Sequence, residues 1–548
     1  MRVAGVLDRV TRTRAAVLVV ALVAVLLAQM AVAMVTTAVE QTPTIDEPVY
    51  VGTAQTYLRE HSLRFNPEHP PLGKLVIATG LQFAHARLAP GFAGDQGALG
   101  RRLLYESGND SWQVMLWARL PVIVLTLLFG LVVFAFARDL AGPVGGVAAL
   151  TLYTFSPDAI AHGSLATLDV PMAGFLLTSV WLLWRARCRP RTQLPLAGAA
   201  LGAAVATKMS ALPAVPVLMV LAVLSYVSYA CRTPGTRWWR GVVRGAAGAV
   251  GMALVALAVV WAAYLAVDPR LRWTTPGHVP AVHGLRGLAV DLLPVPEPFR
   301  DGMRVQFGFE NERWRGFLFG HRYHGSLWYY LPAALLVKTP LGMLALWAAG
   351  AVAMVAAPRL RPAAPYVLVP SAVLLAVAMN GARDLGVRYA VFLPMFLAVA
   401  AAGLVTLRWR GARGVTAALA VCVAVSSLRT FPYYLPYANE AFGGPARTHL
   451  HLHDSNVDWG QDLGRLADRL RGRYRDERVW LVYKGSGVPS AYGIRARDPR
   501  GVSPGRVHGL LAVSDSSVAQ ARGRLAALIE DSRPVDEIGH SITVYRRA

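Results

Sequence analysis

Residues Ala15 to Val39 contain no charged side chain, and a helix of that length crosses a hydrocarbon core of about 30 Å at about 1.5 Å rise per residue. Further apolar windows lie near 115–137, 143–157, 170–184, 194–207, 211–230, 245–267, 328–356, 364–380, 389–406 and 414–430. Together they predict an α-helical polytopic membrane protein with about eleven spans. A cleaved signal peptide would have a shorter apolar region ending in a small-residue site, so an uncut first span is expected. After residue 430 the pattern changes. Asp462 to Tyr474 has helical periodicity, while Arg478–Tyr483, Gly509–Val513 and Ser541–Tyr545 alternate or run apolar over strand lengths. Residues 431–548 are therefore expected to form a small α/β domain.

The arginines test this partition. Arg2, Arg9, Arg12 and Arg14 precede the first span. Counting alternate connections from there, the same side receives Arg138; Arg185, Arg187, Arg189 and Arg191; Arg232, Arg237, Arg240 and Arg244; Arg359 and Arg361; and Arg408, Arg410 and Arg413. The positive-inside rule makes that side cytoplasmic. It leaves three regions outside: a loop at about 40–114, a second at about 268–327, and the tail 431–548. Residues 1–430 then form one membrane domain, in a plasma membrane with the N-terminus cytoplasmic and the C-terminal domain extracytoplasmic.

Composition sharpens this reading. Only 16% of the 548 residues are charged, against roughly 25% in soluble domains, and mean hydropathy is +0.41. The net charge of +23 could signal nucleic acid, but the basic residues sit in short clusters between apolar runs rather than in a stripe beside a nucleic-acid motif. A nucleic-acid partner is not expected; the lipid bilayer is. Cys188, Cys231 and Cys422 are too scattered for metal spacing and predict no disulfide framework.

In such a chain, ionisable residues at membrane depth are costly and stand out as candidates for chemistry. Asp46 and Glu47 follow the first span within ten residues, in Thr44-Ile-Asp-Glu-Pro-Val-Tyr50. Asp46 could simply cap a helix that Pro48 helps to start. His69-Pro-Pro-Leu-Gly-Lys74 holds a histidine and a lysine at the interface, and Lys74 is one of only four lysines, with Lys208, Lys338 and Lys484, among 51 arginines. Asp158, His162 and Asp169 fall in the next external turn. Lys338 lies inside an apolar stretch, and Arg388 beside Tyr389 near a span end, where anchoring alone would also explain it. His449, His451 and His453 with Asp454, or His162 with Asp169, offer ligand types for a divalent cation. Trp314 to Tyr330 is aromatic-rich, which suits an interfacial belt or stacking on a ligand.

Taken in order, Asp46-Glu47, the His69-Pro-Pro-Leu block, Ser156-Pro, Ala161-His162, Thr167-Leu-Asp169, Lys338-Thr-Pro-Leu341 and Arg388-Tyr389 resemble the glycosyltransferase family 39 type of membrane enzyme. That type includes protein mannosyltransferases and aminoarabinose transferases of lipid A. The tail block Tyr437-Ala-Asn-Glu440, Gly443-Gly-Pro445 and Asp454-Ser-Asn-Val-Asp-Trp-Gly-Gln-Asp462 resembles a bacterial subgroup. The external insertion at 268–327 is too short for the β-trefoil loop of the eukaryotic enzymes.

The resemblance implies a GT-C fold and an inverting glycosyltransferase, hexosyl- and mannosyltransferase-like. It would move a sugar from a polyprenyl-phosphate carrier to a protein hydroxyl or an envelope glycan or lipid at the outer face. It makes Asp46 the base, with Glu47 on the acceptor side and Asp169 a second catalytic acidic group. His69, Lys74, Lys338 and Arg388 become donor phosphate ligands, and Tyr50, His162 and Tyr389 substrate contacts. No cofactor is implied with certainty; a divalent cation stays open, and no metal ligand is assigned. Two alternatives also fit many spans with buried charge: a transporter or flippase of a lipid-linked saccharide, and a non-catalytic envelope assembly protein. The chain lacks the paired, interrupted halves common in transporters.

Overall fold

The computed structural model describes residues 2–232, 237–277 and 279–548. The side chains of Arg2, Arg9 and Arg12, expected at the inner face, lie outside the described residues. Among the described residues six helices are long and apolar enough to cross a membrane: Arg14–Glu40, Ser111–Thr154, Ala214–Cys231, Trp238–Val267, Arg361–Met379 and Ala412–Thr430. Further helices, Asp169–Ala186, Pro190–Thr207, Tyr330–Lys338, Leu341–Ala356 and Leu393–Ala402, complete the bundle. Every apolar window of the sequence is helical in the structure. The protein is a multi-pass, α-helical membrane protein.

One window differs in continuity. The run Ser111–Thr154 is two helices, matching the windows at 115–137 and 143–157: Gly142, at φ 74° and ψ −177°, turns the chain before Pro143, and the Tyr153 hydroxyl folds back to donate to the Thr126 carbonyl at 2.9 Å. The window 328–356 is broken in two, because Pro340 has no N–H to continue the ladder and sits at ψ 138°. A break inside a bundle frees carbonyls that lipid cannot satisfy. Here the tail does so: the Asn439 amide donates to Leu336 and Thr339 carbonyls at 2.6 and 2.9 Å, and its backbone N–H donates to Val337 at 2.9 Å.

The first region expected outside folds as the helices Glu47–Glu60, Leu72–Ala84 and Gln96–Arg101, and the second as Gly284–Leu292 and Glu297–Phe309 with a hairpin. The hairpin strands are β1 (Arg315–Leu318) and β2 (His321–His324). Of the aromatic-rich segment, Trp328 and Tyr329 are exposed as a belt residue would be, whereas Phe317 stacks on His453 at 6.0 Å.

In the tail the helix Leu463–Arg473 packs on a five-stranded sheet. Its strands are β3 (Val479–Val482), β4 (Ala496–Arg497), β5 (Gly509–Ser514), β6 (Arg533–Ile538) and β7 (Ile542–Arg547). Their order is β4-β3-β5-β7-β6, with β3 parallel to β4 and β5, and β7 antiparallel to β5 and β6. The two strands not expected from sequence are β4, which is only two residues long, and β6, which contains Pro534 beside a register shift and lies at the sheet edge. Cys188, Cys231 and Cys422 are free, as expected.

Candidate active site

The turn that ends the first span is built around one buried ion pair. Glu47 and Arg119 are both fully buried, and their side chains meet at 2.7 Å through two parallel bonds. Glu47 also accepts from the Thr44 N–H and hydroxyl and from the Ala166 N–H, at 2.8–3.0 Å. Arg119 donates onward to the carbonyls of Ala38, Gln41 and Thr42. Burial alone would raise the Glu47 pKa, but the Arg119 charge and these hydrogen bonds hold it below the usual carboxylate range. Glu47 is therefore committed to the turn and does not line the cavity described below. This differs from the catalytic role expected of it.

With Glu47 turned inward, Asp46 turns outward. It stands at the N-cap of Glu47–Glu60 but makes no side-chain capping bond. Instead its carboxylate meets the Arg388 guanidinium at 2.5 Å across 342 residues of sequence. Neither reading of these residues in isolation, cap or anchor, describes them. A second pair lies on the same cavity: Lys208 and Asp169 at 2.5 Å, both buried. Lys208 carried no assigned role in the sequence, although its scarcity and its position just past an apolar helix, Pro190–Thr207, were available signals.

The tail positions the first pair. Residues 42–45 run beside 459–461, with Thr42 N–H to the Gln461 carbonyl at 2.9 Å and Ile45 N–H to the Trp459 carbonyl at 3.0 Å. The Arg388 loop is held from the same segment. Asn456 accepts from the Val387 N–H at 3.0 Å, and the Ser455 hydroxyl donates to the Leu385 carbonyl at 2.6 Å. Gly386, at φ 149°, approaches Ser455 so closely that a Cβ would lie 2.2 Å from its Oγ. Arg388 then lies over the Trp459 ring at 4.5 Å and beside Tyr389 at 5.2 Å. Trp459, Ser455 and Asn456 belong to the tail block singled out in the sequence, but a linear reading does not show what that block touches.

Both pairs open on a cavity of about 1510 Å³. Its lining is both apolar and charged. Met172, Leu176, Leu212, Phe307, Leu374 and Phe392 are on the lining, as are Arg383, Gln306, Glu310, Asp454 and Lys484. Arg383 donates to Gln306 at 2.9 Å and pairs with Glu310 at 3.6 Å, and Lys484 pairs with Asp454. Tyr50, His69 and Tyr389 also line it, with the Tyr50 and His69 rings edge-on at 5.7 Å.

Burial, with Lys208, Lys74, Arg383 and Arg388 nearby, pushes the His69 pKa well below its usual value. His69, expected as a donor-phosphate ligand, lines the cavity. Its buried Nδ1 has no protein partner.

Two other expected phosphate ligands are not at the cavity. Lys74 is fully buried and donates to the carbonyls of Asn66 and His69 and to the Asn66 side-chain oxygen, at 2.7–3.0 Å. Lys338 donates to the carbonyls of Leu435 and Asn456 at 2.5 and 2.9 Å, with Asp158 at 3.7 Å. An ammonium has three donors, and in both lysines they are directed at fixed acceptors. Each ties loop to helix rather than facing a ligand. His162 is likewise buried behind the cavity, edge-on to Trp459 at 6.1 Å. Asp169 is matched by Lys208, so the expected His162–Asp169 cation site is replaced by an ion pair.

The bundle thus gathers two acid–base pairs, Asp46–Arg388 and Asp169–Lys208, on the lining of one cavity. Residues 23–264 match the family model described as dolichyl-phosphate-mannose-protein mannosyltransferase, which bears out the resemblance carried by the ordered motifs. The matched stretch contains Asp46, His69, Asp169 and Lys208. No curated protein matches the sequence.

Among solved structures the chain is similar to ArnT from Cupriavidus metallidurans bound to undecaprenyl phosphate. The identity is 15%, covering 97% of this chain and 98% of that one, with a TM-score of 0.49. It is also similar to the archaeal oligosaccharyltransferase AglB from Archaeoglobus fulgidus, at 12% identity over 93% of this chain and 72% of that one, with a TM-score of 0.43. Similarity to the S. cerevisiae Pmt1-Pmt2 complex is 18% identity over 46% of this chain and 33% of that one, with a TM-score of 0.35.

Proposed function

We propose that the chain is an inverting glycosyltransferase that takes a sugar, a hexose such as mannose, from a polyprenyl-phosphate carrier and transfers it to an acceptor hydroxyl on a protein or envelope glycan. The reaction takes place at the outer face of a plasma membrane, with the N-terminus cytoplasmic and residues 431–548 extracytoplasmic. One observation carries the reading: Asp46, 29% exposed, pairs with the buried Arg388 on a cavity lined by both apolar and charged side chains. An amphipathic donor needs both kinds, apolar ones for its chain and charged ones for phosphate and sugar. The family match over residues 23–264 supports the same class of donor.

The chemistry follows from these positions. Arg388 offers two parallel donors to a phosphodiester oxygen and stabilises the negative charge that gathers as the phosphate leaves. A donor phosphate at Arg388 competes with Asp46 for the guanidinium and frees the carboxylate. Asp46 then accepts the acceptor's hydroxyl proton. The acceptor oxygen bonds to the anomeric carbon as the carbon–phosphate oxygen bond breaks, and polyprenyl phosphate leaves with that electron pair. Attack opposite the leaving group inverts the anomeric centre. Lys208 stays paired with Asp169 and keeps that side of the cavity polar.

The test is turnover of a polyprenyl-phosphate-mannose by the purified protein in lipid vesicles, with serine- or threonine-containing peptides and envelope glycan as acceptors. Formation of free polyprenyl phosphate together with an inverted glycoside on either acceptor is expected. Movement of intact donor across the bilayer without cleavage would instead identify a flippase.

A further inference from the structure

The tail holds a cluster that the reaction above does not use. His449 lies in the short helix Pro445–Leu450, Asp515 follows β5, and Glu537 is in β6. One ligand atom from each lies within 4.8 Å of the other two. Asp515 is 1% exposed, and its Oδ1 accepts from the Thr543 hydroxyl at 2.6 Å, yet its buried Oδ2 has no partner. The buried Nδ1 of His449 also has none. An unsatisfied carboxylate oxygen on Asp515 and an unsatisfied imidazole nitrogen on His449, in side chains that come this close, are costly unless something meets them.

We propose that His449, Asp515 and Glu537 bind one divalent transition-metal ion, of the Zn²⁺ type, that fastens the segment leaving the last span to the tail sheet. One imidazole and two carboxylates form a three-residue donor set that leaves a fourth position for water. In a four-coordinate site, ligand atoms at about 2.0–2.2 Å from the ion lie about 3.3–3.6 Å apart, so the three ligand atoms, now within 4.8 Å of one another, draw in by up to about 1.5 Å through side-chain rotation. The His540 Nδ1–H donates to a Glu537 oxygen at 3.0 Å and can orient that carboxylate from behind. The other histidines of the sequence cluster are spent elsewhere: His451 packs edge-on to Phe319 and Phe442, and His453 stacks on Phe317.

The ion's place in the fold gives it a consequence. Ser516, next to Asp515, accepts from the Asp454 N–H at 2.8 Å and donates to the Asp458 carbonyl at 3.0 Å. That brings the clamp to the segment that holds Trp459 and the Arg388 loop. The ion is thus a positioning element for the cavity and touches no reacting atom.

The experiment uses the full-length protein in detergent, stripped with EDTA and dialysed, then titrated with Zn²⁺ against a chromophoric chelator while thermal unfolding is followed. The wild type is expected to take up one equivalent and to unfold at a higher temperature with Zn²⁺ than in EDTA. Glu537→Gln and His449→Gln are expected to lose at least tenfold in affinity and to show no Zn²⁺-dependent shift, and His451→Gln to keep both. Because Glu537 and His449 are only half-buried, the two variants are expected to match the wild type in EDTA. A wild type that takes up no ion, or an equivalent retained in both variants, overturns the proposal.

Discussion

Asp46→Asn is expected to lower turnover by about 10²–10⁴-fold, the range by which a positioned general base contributes, without weakening donor binding. Asparagine keeps the size of the side chain and the turn set by Glu47, but it cannot take the acceptor's proton. It also removes the negative partner at 2.5 Å from Arg388, leaving the guanidinium free for phosphate. The expected result is therefore a fall in kcat with a donor KM that is unchanged or lower. A drop of less than about threefold would remove Asp46 from the role of base. A rise in donor KM with kcat preserved would make it a binding residue.

Glu47→Ala is expected to act one residue away in a different way, through stability. Removing one member of a buried ion pair costs about 3–5 kcal/mol, because the remaining charge is left in a site with no water. Arg119 would keep its bonds to the Ala38, Gln41 and Thr42 carbonyls but lose its counter-charge. Thermal unfolding in detergent should show a large drop in midpoint, and the Glu47→Ala/Arg119→Met pair should lose less than the sum of the single changes. A variant as stable as the wild type but inactive would return Glu47 to the chemistry.

The contrast between these neighbours shows what a linear sequence can and cannot carry. Low charged content made Asp46, Glu47, Asp169, Lys74, Lys338 and Arg388 conspicuous, and all six are structurally important. Charge in an apolar chain marks an expensive group, however, not the use to which it is put. Lys74 and Lys338 stabilise broken backbone by meeting carbonyls, and nothing local in Leu72–Ala84 or Tyr330–Lys338 distinguishes that from binding a phosphate.

Pairing is the harder problem. Asp46 and Arg388 are brought together by the 454–461 segment, through backbone bonds to residues 42–45 and side-chain bonds to residues 385–387. Those contacts have no periodic signature. The spans were legible because hydrocarbon imposes length and composition on each window independently. The interruption at Pro340 was visible as a residue, but only packing decides whether such a residue kinks a helix or ends it. Lys208 was missed as Asp169's partner for the same reason, since the two meet across 39 residues and two helices. In the histidine-rich stretch, alternation suggested one shared site. The structure sends His449, His451 and His453 to three different neighbourhoods.

The most direct test is the location of a bound donor, read from a cryo-EM map of the full-length protein in a lipid nanodisc with a non-hydrolysable polyprenyl-phosphonate sugar. The phosphonate is expected within hydrogen-bonding distance of Arg388, the prenyl chain against apolar side chains of the lining, and the Asp46 carboxylate on the face of the anomeric carbon opposite the phosphonate. A phosphonate held instead by Lys74 or Lys338, with the Asp46–Arg388 pair intact and away from the sugar, would contradict this assignment of the site.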